Sequence, residues 1–215
     1  MNTEAFVQRA LSAVALPTLY WLGKGGWTQA EAAQPAASAR PGRPIDVARE
    51  FEAMRRQRPQ VHAAYLAGLA QSGLTLAELP PQACDCSGFV CWALGIARDG
   101  APLEGGWIGT DAVYADALGA QRLFTPVERA AAGVLMVFPQ PRGQGSEGPP
   151  GHIGIVTAVA ADGSVARVLH CAPENLLLPP PAGLPRNAIA QTGPEHFAAD
   201  PRTRFVVWRG FEAAA

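Results

Sequence analysis

The sequence predicts an α+β domain in which one apolar helix packs on an antiparallel sheet, and three observations carry that reading. A polar turn, Asp85-Cys86-Ser87-Gly88, runs straight into the apolar stretch Phe89 to Leu94 at helical spacing. Four short apolar runs, 135–138, 152–159, 165–172 and 205–209, read as strands bounded by Gly, Pro and Asp. Residues 28–80, with helical periodicity from Asp46 onward, interrupt this arrangement as an insertion. At 215 residues the chain fits one domain, 1–215, able to bury a substantial core. With 48% hydrophobic residues, 23 Gly and 20 Pro it is globular and loop-rich, not disordered.

In chain order, residues 4–16 form an amphipathic helix with Phe6, Leu11 and Val14 on one face, stopped by Pro17. Leu19 to Trp27 is aromatic and then glycine-rich, a segment that lets backbone approach something closely. Residues 28–45 lack a period and are expected to be flexible. Asp46 caps a helix that turns Val47, Phe51 and Met54 inward, and Pro59 opens a second carrying Val61, Tyr65, Leu66 and Leu69. Gly73 ends it, and Thr75 to Glu78 has the form of a capping box. The Cys86 helix ends near Gly95, and 111–118 is a short helix. A Pro/Gly-rich loop spans 139–151, and 173–204 is a proline-rich excursion to which the sequence gives no shape.

Net charge is −1 and Lys24 is the only lysine, so no basic face for nucleic acid is expected. No stretch is long and apolar enough to span a bilayer. A signal peptide is arguable over 10–23, but Glu4, Pro17 and Thr18 interrupt its pattern. The expectation is therefore a protein that works in the cytoplasm or is exported without a cleaved signal. Composition leaves the oligomeric state open.

Cys86 falls at the first turn of its helix, where unpaired N–H groups and the helix dipole favour an anion, and so a nucleophilic thiolate. Cys91, inside the apolar run, reads as core. The cysteines at 84, 86, 91 and 171 are poorly spaced for disulfides, and Cys84-x-Cys86 is too tight for a structural zinc pair. No metal or cofactor is expected.

Such a thiol needs a base, and that base an orienting partner. His152 and His170 lie on neighbouring predicted strands, so hairpin register decides whether they meet. A two-residue turn at Asp162-Gly163 would put His170 opposite Ile155 and turn His152 to the other face. A three-residue loop, Ala161-Asp162-Gly163, puts His170 opposite Gly154 with His152 diagonal on the same face. The second register is the one predicted. His62 reads as a helix-surface residue, and His196 has no evident partner.

These residues resemble the NlpC/P60 family of papain-like cysteine peptidases, which cleave amide bonds in bacterial cell-wall peptides. Asp85-Cys86-Ser87-Gly88-Phe89-Val90 is similar to the family's D-C-S-G-[FL]-V nucleophile motif. Gly151-His152-Ile153-Gly154-Ile155 resembles its G-H-[VI]-G-I strand, and Val168 to Pro173 the segment bearing the third, polar member. Leu19-Tyr20-Trp21-Leu22-Gly23 resembles an element whose tyrosine reaches the active site. The chain departs from the family in the 28–80 insertion and in Ala132-Gly133-Val134, where Pro-Gly-Asp is usual.

The resemblance implies a papain-like fold and a Cys86-His152-His170 triad that hydrolyses peptidoglycan stem peptides. Tyr20 and the Cys86 N–H would help hold the oxyanion, and Asp85 and Ser87 would touch polar groups of the substrate. Two other readings stand beside it: an acyltransferase or deamidase acting on a protein or lipid through the same thioester, and a non-catalytic binding module. The insertion and the 173–204 excursion are suited to walling a cleft.

Overall fold

A computed structural model of the protein describes residues 1–32, 39–141 and 151–211. The predicted loop at 139–151 and the excursion from residue 28 therefore lie partly outside the described residues. In chain order the helices are α1 (Thr3–Ser12), α2 (Gln29–Ala32), α3 (Val47–Gln57), α4 (Pro59–Gln71), α5 (Cys86–Leu94), α6 (Thr110–Leu118), α7 (Pro173–Leu177) and α8 (Glu195–Ala198). The strands are β1 (Leu19–Tyr20), β2 (Arg43–Pro44), β3 (Gln82–Cys84), β4 (Phe124–Val127), β5 (Leu135–Phe138), β6 (His152–Val159), β7 (Val165–Cys171), β8 (Ile189–Thr192) and β9 (Arg204–Trp208).

The architecture is α+β. Six strands in the order β4-β9-β5-β6-β7-β8 form a sheet in which every neighbouring pair is antiparallel. A small second sheet, β1-β3-β2, joins β1 and β3 in parallel through Leu19↔Ala83 and Tyr20↔Cys84. Alternation along the strands makes the large sheet two-sided. Leu135, Val137, Ile153, Ile155, Leu169 and Cys171 join the main core with α1, α5 and α6. Met136, Phe138, Val156 and Val168 face the other way and are closed by Phe197 of α8.

Local chemistry accounts for most elements. Phe6, Val7 and Ala10 bury one side of α1, which packs on α5, and a 3₁₀ turn at Ala13–Ala15 precedes Pro17. The Asp46 side chain accepts the Arg49 N–H at 3.0 Å to start α3, and Pro59 opens α4. The Thr75 N–H donates to Glu78 at 2.7 Å, closing the predicted capping box. The insertion docks through aromatic contacts: Phe51 sits 5.3 Å from both Trp21 and Tyr65, centroid to centroid.

Some expectations change. The 28–45 stretch is not featureless, since it contains α2 and, in β2, a partner for β3. The 173–204 excursion contributes α7, β8 and α8. Strand β4 was hidden by Pro126, which is tolerated because β4 is the sheet edge. Among the described residues no helix is long and apolar enough to cross a membrane.

Candidate active site

The site begins with the turn that starts α5. The Asp85 side chain accepts the Gly88 N–H at 2.7 Å, the N-cap bond expected of that residue type. Its other oxygen accepts the Gly23 N–H at 2.7 Å and pairs with Arg98 at 2.8 Å, with both side chains almost fully buried. Arg98 also donates to Ser87 Oγ (2.6 Å), the Lys24 carbonyl (2.8 Å) and the Ile108 carbonyl (3.2 Å). Ser87 in turn donates to Asp85 at 3.1 Å. Asp85 and Ser87, expected at the substrate, are thus occupied internally and hold the nucleophile's turn against the Gly23–Gly25 loop. Arg98, which the sequence did not single out, is the hub. Gly88 is required here because a Cβ would lie 2.5 Å from the Lys24 carbonyl oxygen.

All of α5 is buried, and its first residue brings the Cys86 sulfur against backbone N–H groups of Ile153 and Ser87. Burial pushes the thiol well up, Asp85 adds to the rise, and those two N–H groups with Arg98 only partly offset it. The expected helix-terminus thiolate is therefore overridden: the dipole is worth about 0.3–1 kcal/mol, whereas full desolvation moves a pKa by roughly 3–5 units. Cys91, deeper in α5, is pushed up to about 12 by burial. The Tyr20 hydroxyl is raised by burial and then by Cys86, which keeps it protonated as a hydrogen-bond donor.

The hairpin has the predicted odd-length loop. The Ala160 N–H donates to the Ser164 carbonyl at 2.8 Å, Gly163 adopts φ +84°, and Ile155 pairs with Leu169 and Val156 with Val168. A bulge follows at Ala158, away from the histidines. His152 and His170 share a face, with Nε2 of the first 2.8 Å from Nδ1 of the second. Gly154 makes room between them: a Cβ there would lie 2.7 Å from Val168, 2.8 Å from Phe197 and 3.1 Å from His170 Cβ.

A further chain of bonds sets the tautomers. Thr192 Oγ1 donates to the Gly193 carbonyl at 2.9 Å, so it accepts from His170 Nε2, 3.0 Å away. His170 Nδ1 is then the acceptor for His152 Nε2–H, and Nδ1 of His152 is left with its lone pair. Among the described residues that nitrogen has no hydrogen bond, the Cys86 thiol included. The Cys86 sulfur meets the Ile153 N–H, one residue from His152, at the end of β6 where pairing with β7 has not yet begun.

His196 is the histidine the sequence could not place. From α8 its ring lies 4.7 Å from His152 and 5.9 Å from His170, and its Nδ1 is 3.5 Å from Glu174. Burial first, then the other histidines, holds His152 well below the usual imidazole range; burial and His196 push His170 down to about 4. At neutral pH the dyad is uncharged. The Cys84 and Cys171 sulfurs lie 3.5 Å apart as free thiols, both buried. Among the described residues no group of three or more His, Cys, Asp or Glu could hold a metal ion.

The site thus combines a neutral buried thiol, an oriented pair of neutral imidazoles and a protonated tyrosine, the parts required for nucleophilic attack assisted by a general base. No family model, curated protein or solved structure matches this chain.

Proposed function

We propose that the chain is a papain-like cysteine amidase of the NlpC/P60 kind, with peptidoglycan stem peptides as the substrate class its motifs imply. The observation that carries the reading is the bond chain from Thr192 through His170 to His152, which leaves one nitrogen, His152 Nδ1, without a hydrogen bond among the described residues. In the reaction that nitrogen takes the Cys86 proton as sulfur attacks the amide carbonyl carbon. Because thiol and imidazole both rest neutral, proton transfer accompanies attack instead of preceding it. The negative charge that develops on oxygen is met by the Cys86 N–H, which has no acceptor in the first helical turn, and by the Tyr20 hydroxyl.

The tetrahedral intermediate collapses with breakage of the C–N bond, and His152 returns the proton to the departing amine. Water, deprotonated by the same nitrogen, then cleaves the thioester and restores the thiol. His170 keeps His152 in the competent tautomer throughout.

Purified peptidoglycan incubated with the protein, with released fragments identified by mass, tests the reading. Soluble fragments ending in a free carboxylate are expected, and none with Cys86→Ser. Full activity in that variant would sink the mechanism. Transfer of the acyl group to an added amine in place of hydrolysis would identify a transferase.

A further inference from the structure

A cleft of about 560 Å³ opens beside the candidate triad, within the size range of small-molecule sites. It adjoins the chemistry at three places: Tyr20, whose hydroxyl is raised in part by Cys86; Gly151, which precedes His152; and Pro173, three residues after His170. The opposite wall comes from the insertion. Glu50, Met54 and Gln57 on α3 recur at i, i+4 and i+7, and Val61 and Tyr65 on α4 at i and i+4, so each helix turns one face to the cleft, with Arg58 at the junction between them.

Two properties of the lining identify what fits. Trp21, Leu22, Met54 and Val61 present apolar surface, and Leu22 and Val61 are 55% and 40% exposed, large values for such side chains. Two donors in the same lining are unused. The Tyr65 hydroxyl is buried with no hydrogen-bond partner, and the Arg58 guanidinium has neither an ion pair nor a hydrogen bond among the described residues. Glu50, the acid of the lining, is taken up by Lys24 at 3.2 Å. A buried hydroxyl without a partner is costly, and an unpaired arginine in the same lining favours an anionic acceptor.

From this juxtaposition we infer that the cleft binds the amine-side residue of the substrate amide, a large apolar amino acid with a free carboxylate, its side chain against Leu22, Met54 and Val61 and its carboxylate on Arg58 and Tyr65. The inference rests on the amidase chemistry of Cys86 and departs from the stem-peptide substrate class, whose amides carry no large apolar residue on the amine side. Hydrolysis then releases a free apolar amino acid: the C–N bond breaks, its nitrogen takes the proton from His152, and the acyl half stays on Cys86 as a thioester until water arrives.

The test separates binding from turnover. N-acetylphenylalanine, N-acetylphenylalaninamide and N-acetylalanine are titrated calorimetrically into the full chain carrying Cys86→Ala. The acid should bind about tenfold more tightly than its amide, as befits a charge-assisted bond, and about tenfold more tightly than the alanine analogue. In an Arg58→Gln background the acid-over-amide preference should vanish while the phenyl-over-methyl preference persists. Equal affinity for acid and amide, an acid preference that survives Arg58→Gln, or equal affinity for the alanine analogue would overturn the assignment. The unsubstituted protein is then given a peptide ending in phenylalanine. Binding in the expected order without Cys86-dependent release of phenylalanine would refute the amidase reading and leave the binding site standing; Cys86-dependent wall hydrolysis without that order would refute the binding site alone.

Discussion

Thr192 Oγ1 lies 3.0 Å from Nε2 of His170, so a hydroxyl on β8 determines which nitrogen of His152, on β6, can accept a proton. Thr192→Val removes the acceptor and frees His170 to adopt the other tautomer. Amidase kcat/KM should fall roughly tenfold, the value of one hydrogen bond of about 1 kcal/mol or a little more. Thr192→Ser should restore it. A valine variant with unchanged kinetics would show that the tautomer is set elsewhere.

Acid should destabilise the fold through the same dyad. With the folded pKa of His170 pushed down to about 4 and that of His152 also lowered, the unfolded chain binds more protons than the native one between roughly pH 6.5 and 4. Unfolding free energy therefore decreases as pH falls through that window, by roughly 3 kcal/mol from His170 alone. Urea titrations at half-unit pH steps measure the slope, and His170→Asn should flatten it.

His196 adds a like charge near both rings when protonated. His196→Ala should move the acid limb of kcat/KM towards higher pH, because the dyad then accepts protons more readily. An unmoved limb would show that burial alone sets the dyad.

The buried Asp85–Arg98 pair should dominate stability around the nucleophile. Arg98→Met leaves the Asp85 carboxylate without its cation and should cost about 3–5 kcal/mol. Chemical denaturation checks this, and a loss under 1 kcal/mol would mean that water or another donor replaces the guanidinium.

Gly154→Ala should cost about 1–3 kcal/mol, since Val168, Phe197 and His170 must all shift to admit a methyl group. The imidazole NMR signals of His170 should move with it, whereas Gly163→Ala, with nothing within 4 Å, should leave them in place and cost only backbone strain at its positive φ.

The sequence revealed local signals well. Asp85, Asp46 and Pro59 announce helix starts through their own chemistry, and Asp162-Gly163 with its neighbours determined the register that aligns His152 with His170. What stayed hidden depends on distant partners. Arg98 looked like one scattered arginine because its five acceptor contacts come from three separate segments, at Lys24 and Gly25, at Asp85 and Ser87, and at Ile108. His196 and Thr192 sit in a proline-rich stretch without periodicity, and only the sheet brings them to the dyad. The thiol's pKa was misjudged because a helix end is visible in a sequence and the depth of its burial is not.

The parallel contact of β1 with β3 places the departure and return of the intervening sixty-odd residues side by side, Tyr20 against Cys84. A segment whose ends already touch adds little closure entropy to the fold however long it grows, because that term rises only logarithmically with length. The two helices can therefore be shortened, exchanged or redesigned as a cassette while the reacting groups keep their places, which makes the chain a natural chassis for grafting new selectivity onto an unchanged chemical engine.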